Sequence, residues 1–231
     1  MGVGPKLAAD THLDDVTKSD GDMRPWDARL ARWLVGPLRN TRVSPNHLTT
    51  VRLLVGLGAA AAFLPGSYMW TNVAALLMVL SNFLDHTDGE LARMTGKTSR
   101  FGHFYDLASD ALVTILLFVA MGVGIGADAR PGSEFEFPLI GAVAGSAVAF
   151  IFYIRMRIED LAGKTATRQA TLAGFETEDV LYLIPLVTLT NGQSAMLVLA
   201  SICAPLYAFW ALYEYRKVQR LRLSTASGVV R

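Results

Sequence analysis

One cysteine, Cys203, occurs in 231 residues. That excludes an internal disulfide and a multi-cysteine zinc site, and its apolar surroundings suit a buried small hydrophobe. Charge is scarce as well: Asp, Glu, Lys and Arg make up 18% of the chain against 52% hydrophobic residues, and the net charge is +1. With a mean hydropathy of +0.35, the chain is too apolar for an ordinary soluble domain and reads as an integral membrane protein. Residues 1–23 are polar and lack the apolar core that a signal peptide needs, so they read as a flexible tail. Internal repeats and low-complexity segments are absent too, which leaves a single domain.

What is present is a series of apolar runs. The pattern predicts an all-α integral membrane fold, with six transmembrane helices preceded by an interfacial amphipathic helix. Residues 24–42 set Trp26, Leu30, Trp33, Leu34 and Leu38 against Arg24, Arg29, Arg32 and Arg39, the composition of a helix lying in the headgroup layer or packed on the protein's own surface. Ser44-Pro45 supplies a cap and a first-turn proline for a span over 46–64. Arg52, one turn inside that span, has a stem long enough to snorkel back to the interface. Further spans are predicted over 68–94, 100–126, 137–158, 179–189 and 194–215. The fifth is short unless it begins before Asp179. The domain order is therefore a tail at 1–23, an interfacial helix at 24–42, a six-helix domain at 43–222 and a C-terminal tail at 223–231.

Of the 21 Lys and Arg, all but Arg130 fall on one side of this arrangement. The positive-inside rule then places both termini, and the turn between the second and third spans, in the cytosol.

That turn joins two acidic helix ends. Asp85 and Asp88 are three apart, and Asp106 and Asp110 are four apart, so each pair shares a helix face. If residues 95–99 fold one helix back on the other, four carboxylates converge. Such a group at a membrane helix end is repulsive unless a cation neutralises it, and a hard divalent ion with oxygen ligands fits best. Mg²⁺ or Mn²⁺, two ions shared among four carboxylates, with a phosphate-bearing substrate, is the expected occupant. His86 and His103 flank the cluster, but hard cations do not need imidazole.

The spacing Asp85-x2-Asp88-Gly89-x2-Ala92-Arg93-x8-Gly102-x3-Asp106-x3-Asp110 resembles the full signature of the CDP-alcohol phosphotransferase (phosphatidyltransferase) family, and Ser-Pro-Asn-His-Leu-Thr at 44–49 resembles the family's first membrane helix. The resemblance implies Asp85, Asp88 and Asp106 as metal ligands. Asp110 would join the second metal and act as general base. Gly89, Ala92, Arg93, Gly102, Asn46 and Thr49 would face the nucleotide, with Arg93 meeting a phosphate through its planar fork. A homodimer and a bacterial inner membrane are implied in the same way, while the asymmetry of Lys and Arg turns the active site to the cytosol.

The resemblance leaves the substrates open. It favours CDP-diacylglycerol as donor and a small polar alcohol or alcohol phosphate as acceptor, with CDP-choline or CDP-ethanolamine acting on a lipid alcohol as the alternative. Arg155, Arg157, Lys164 and Arg168 could bind an acceptor phosphate, or serve only as topogenic charge beside anionic lipids. Glu178, with Glu176 and Asp179, could instead hold an ammonium group, or simply favour a helix start. From another class, a divalent-cation transporter would also place carboxylates in membrane helices, but the outer halves of these spans carry no polar path.

Overall fold

The computed structural model describes residues 26–127, 135–162 and 182–228. Among them are seven α-helices and the 3-10 segment that follows the first of them. The first helix, α1, spans Trp26–Val35 and gives way to the 3-10 segment Gly36–Asn40, where Pro37 removes a backbone donor and ends the α-helical ladder. It buries Ala31 and Val35 while leaving Trp33 and Leu34 exposed. It packs on α3, Tyr68–Thr95, so the surface-packed reading holds and an apolar stripe still faces outward.

Helix α2, Pro45–Phe63, starts where the Ser44-Pro45 cap predicts, and the Ser44 N–H donates to His47 Nδ1 at 3.3 Å. Helix α4 covers Arg100–Ala127 and α5 covers Glu136–Ala162. Between α3 and α4 the chain reverses within a few residues. Gly96 caps α3 at φ +65, a left-handed conformation that a side chain would strain. Ser99 starts α4 by accepting the Gly102 N–H on Oγ at 2.9 Å. This reversal is what brings the acidic helix ends together.

The last two helices are α6, Ile184–Leu189, and α7, Gln193–Gly228. Of the expected fifth span, residues 182–189 are described, and they contain a short helix packed on α3. Helix α7 runs well past residue 215 and through most of the expected C-terminal tail. Its sequence from Glu214 to Leu223 is made of good helix formers with no breaker, so nothing stops it at the membrane boundary. Cys203, expected to be buried, is exposed on α7. A small apolar side chain suits lipid as well as core.

Helices α2, α3 and α4 pack against one another around small residues. Ala59, Ala60, Ala62, Ala74, Ala75 and Ala120 are buried with Phe63, Met78, Leu117 and Met121, the composition that lets membrane helices approach closely. Helix α5 lies on α4, and α7 lies on α5, where Ile154, Ile158 and Ala211 form a second cluster. Among the described residues, α4, α5 and α7 are long and apolar enough to cross a membrane. The chain is thus an all-helical multi-pass membrane protein, and α2 and α3 are more polar because they carry the site.

Candidate functional site

Periodicity places Asp85 and Asp88 on one face of α3, and Asp106 and Asp110 on one face of α4; the Gly96–Ser99 turn superposes the two faces. Oxygens of Asp85, Asp88 and Asp106 lie within 4.8 Å of one another. Their donor set consists only of hard carboxylate oxygens, which suits Mg²⁺ or Mn²⁺ and not a soft metal. Asp88 is buried and accepts the Thr49 hydroxyl on Oδ2 at 2.8 Å. Asp85, Asp106 and Asp110 are part-exposed.

Arg52 departs from expectation. Its side chain does not return to the interface; the residue is 4% exposed and points into the cluster. One amino group, Nη1, donates to Asp85 Oδ1 at 2.5 Å and to Asp110 Oδ1, while Nη2 donates to Asp106 Oδ1 at 2.9 Å and to the Asp106 carbonyl at 3.2 Å. Three carboxylates offer a guanidinium far more than a headgroup layer can. Thr49 and Arg52 are three apart, Gly56 four further on, and together they form one stripe of α2.

Asn46 and Gly102 meet where α2 and α4 begin. A methyl group on Gly102 would stand 2.9 Å from Asn46 Oδ1, so α2 and α4 approach closely there. Gly89 lies beside the Arg93 guanidinium, and Arg93 is 56% exposed with Nη2 on Glu90 Oε1 at 2.8 Å. Glu90 itself is buried, so a buried acid aims Arg93 from within its own helix. Ala92 is half-buried on the same stretch.

A cavity of about 390 Å³ adjoins the acids. Its walls include Asp85, Asp106 and Asp110 on one side, Arg155 and Glu159 of α5 on another, and Asn82 and His103 between. Arg155 is therefore brought to the acids. Arg157, two residues on and so on the opposite helix face, pairs with Asp160 at 3.7 Å instead. Lys164, Arg168 and Glu178 lie outside the described residues.

Comparison with known proteins agrees with this geometry. An archaetidylinositol phosphate synthase of Aeropyrum pernix is 32% identical over 186 residues, covering 78% of this chain and 86% of that protein. One from Pyrococcus horikoshii is 38% identical over 88 residues, 37% of this chain and 45% of its own length. A CDP-diacylglycerol–glycerol-3-phosphate 3-phosphatidyltransferase of Cereibacter sphaeroides is 40% identical over 80 residues, 34% of this chain and 36% of that one. The family model for CDP-alcohol phosphatidyltransferases matches residues 42–213, from just ahead of α2 to within α7. That stretch contains every acid of the cluster and the helices that position them, and the chain belongs to the CDP-alcohol phosphatidyltransferase family.

Proposed function

We propose that this protein is a membrane-embedded transferase in which an alcohol hydroxyl attacks a CDP-linked lipid donor, releasing CMP and forming a phosphodiester. The observation that carries it is the convergence of Asp85, Asp88 and Asp106 beside a cavity that also holds Asp110 and Arg155. Asp85, Asp88 and Asp106 would hold a divalent cation, with Asp110 sharing in a second. Such ions supply neutralisation of the diphosphate and polarisation of the phosphorus under attack. The chain's own residues do the rest. Asp110 takes the proton from the attacking hydroxyl as the new P–O bond forms and the bond to CMP breaks. Arg93 meets a donor phosphate with its exposed fork, and Gly89 and Ala92 let the nucleotide lie close to α3. Asn46 and Gly102, which meet where α2 and α4 begin, would face the nucleotide, and Thr49 acts from behind by holding Asp88.

Arg155 favours an acceptor that itself carries phosphate, because it puts a guanidinium, whose fork suits a phosphate, on the wall of the cavity that adjoins the acids. The names of the relatives point the same way, with inositol phosphate and glycerol 3-phosphate appearing in them. CDP-diacylglycerol or a like CDP-lipid is the donor in this reading. We place six spans across the bilayer, α1 at the interface, and the site and both termini on the cytosolic side, with the working unit a homodimer. A matrix of CDP-linked donors against alcohol acceptors, read by CMP release and product mass, tests the reaction. CMP release from a CDP-lipid with a phosphorylated polyol supports it. Release only from CDP-choline or CDP-ethanolamine would shift the reading to the aminoalcohol branch, and release from no donor with any divalent ion would remove it.

A further inference from the structure

We propose that Arg52 is a positioning residue for the divalent cation: its guanidinium holds one oxygen each of Asp85, Asp106 and Asp110, so that the remaining oxygens of Asp85 and Asp106 are left to the centre they share with Asp88. The inference rests on the functional reading above and adds a residue to it that neither the acidic signature nor the family match assigns.

The geometry is that of a floor beneath the site. Thr49 and Arg52 occupy one stripe of α2, and the deeper of the two, Arg52, takes the three acids that Thr49 does not. At each carboxylate the contacted atom is Oδ1, which leaves Oδ2 of each to a cation. Asp88, the fourth acid, has one oxygen taken by Thr49 instead. The Ser81 hydroxyl donates to the Arg52 carbonyl at 3.1 Å, which ties α2 to α3 at this depth. Arg52 is therefore fixed at its backbone by one helix and at its tip by two.

A lysine could not do this. An ammonium is a compact point charge, whereas the guanidinium fork reaches two acids through Nη1 and a third through Nη2, with the Asp106 carbonyl as a further acceptor. Nor is the arrangement that of an ordinary buried ion pair. One carboxylate would neutralise one arginine, and gathering three around it leaves a negative excess that favours a further cation. Orienting groups behind metal-binding side chains of this kind change metal affinity by about 10–100-fold when removed. Arg52 also biases the charge presented to substrate: four carboxylates with two divalent ions are neutral, and Arg52 leaves one positive charge facing a diphosphate.

Mn²⁺ binding to the purified full chain in detergent, followed by electron paramagnetic resonance of the free ion, tests this apart from turnover. Wild type should bind, and Asp85→Asn should lose binding. Arg52→Gln should bind about 10–100-fold more weakly. Arg52→Lys should fall between, because it keeps the charge and loses the fork. Thermal unfolding of each variant separates this from a structural role: a merely structural Arg52 would lower the melting temperature and leave the Mn²⁺ affinity of the folded fraction intact. That result, or Arg52 variants that bind as tightly as wild type or more tightly, overturns the assignment. If Arg52→Gln does not fold, Arg52→Lys decides it, with weakened binding supporting the proposal and unchanged binding ending it. Absence of Mn²⁺ binding in wild type, or full binding in Asp85→Asn, would bring down the functional reading itself, whereas unchanged binding in the Arg52 variants alone would leave that reading standing.

Discussion

Asp110 and Asp85 both touch Arg52, yet they are expected to fail differently when neutralised. Asp85 belongs to the trio whose oxygens lie within 4.8 Å of one another, and Asp110 stands outside it. Asp110→Asn should therefore lower the rate of CMP release by a factor of about 10²–10⁴, the usual contribution of a general base, while Mn²⁺ binding persists. Asp85→Asn should lose both. Parallel CMP and Mn²⁺ assays check this, and equal loss of Mn²⁺ binding in the two variants would deny Asp110 a separate role. Thr49→Val removes the hydroxyl that Asp88 Oδ2 accepts at 2.8 Å and should weaken Mn²⁺ binding about tenfold, at the lower end for an orienting hydrogen bond. The four aspartates were legible in the sequence because helical periodicity alone puts each pair on a face. Arg52 was not, since an arginine one turn inside a span has the same pattern whether it turns to the headgroups or to an acidic cluster. Only the superposition of α2 on α3 and α4 decides between them.

Among the helices, the site depends on how closely α2, α3 and α4 pack. Gly56, one turn below Arg52 on the same stripe of α2, marks a close approach of all three helices. A methyl group there would lie 2.6 Å from Val113 Cγ1 of α4 and 3.1 Å from Ser81 Oγ of α3. Val113 is branched and buried, so it cannot move aside cheaply, and overpacking of this kind destabilises by about 1–3 kcal/mol. Gly56→Leu is expected to lower the melting temperature in detergent and to reduce CMP release, because spreading these helices separates the carboxylates. A variant with wild-type stability and turnover would show that the three-helix contact does not set the site. Most helix boundaries were legible: the Ser44-Pro45 cap, Gly96 and Ser99 are local signals that tertiary packing had no reason to override. The exceptions have physical causes. Pro37 cuts α1 short of residue 42, and α7 overruns residue 215 because its polar continuation favours helix as strongly as its apolar part. No sequence signal paired Arg155, and not Arg157, with the acids until α5 was packed on α4.

Across the whole molecule, apolarity and charge carry different parts of the topology. Helices α4, α5 and α7 pass as spans on length and apolarity. Helices α2 and α3 are less apolar because Thr49, Arg52, Ser81, Asn82 and Asp85 face one another and not lipid; their 19 and 28 residues still reach roughly 28 and 42 Å, enough to cross. In the proposed six-span topology hydropathy alone undercounts the spans, and the placement of Lys and Arg has to supply the rest. In the proposed topology, which rests on Lys and Arg falling on one side with the exception of Arg130, the turn after α3 lies in the cytosol and the turn between α6 and α7 on the far side. Lys97 and Thr190 are exposed in or beside these two turns. In a Cys203→Ala background, Lys97→Cys should react with a membrane-impermeant maleimide in inside-out vesicles and be protected in right-side-out ones, and Thr190→Cys should show the reverse. Labelling of both from the same side would mean an even number of crossings between them, and Lys97→Cys labelled from outside would put the acids where a nucleotide made inside the cell cannot reach them. The expected pattern leaves the acidic helix ends open to the cytosol while α4, α5 and α7 remain in lipid, the arrangement in which a water-soluble CMP can leave by one route and a lipid product by another.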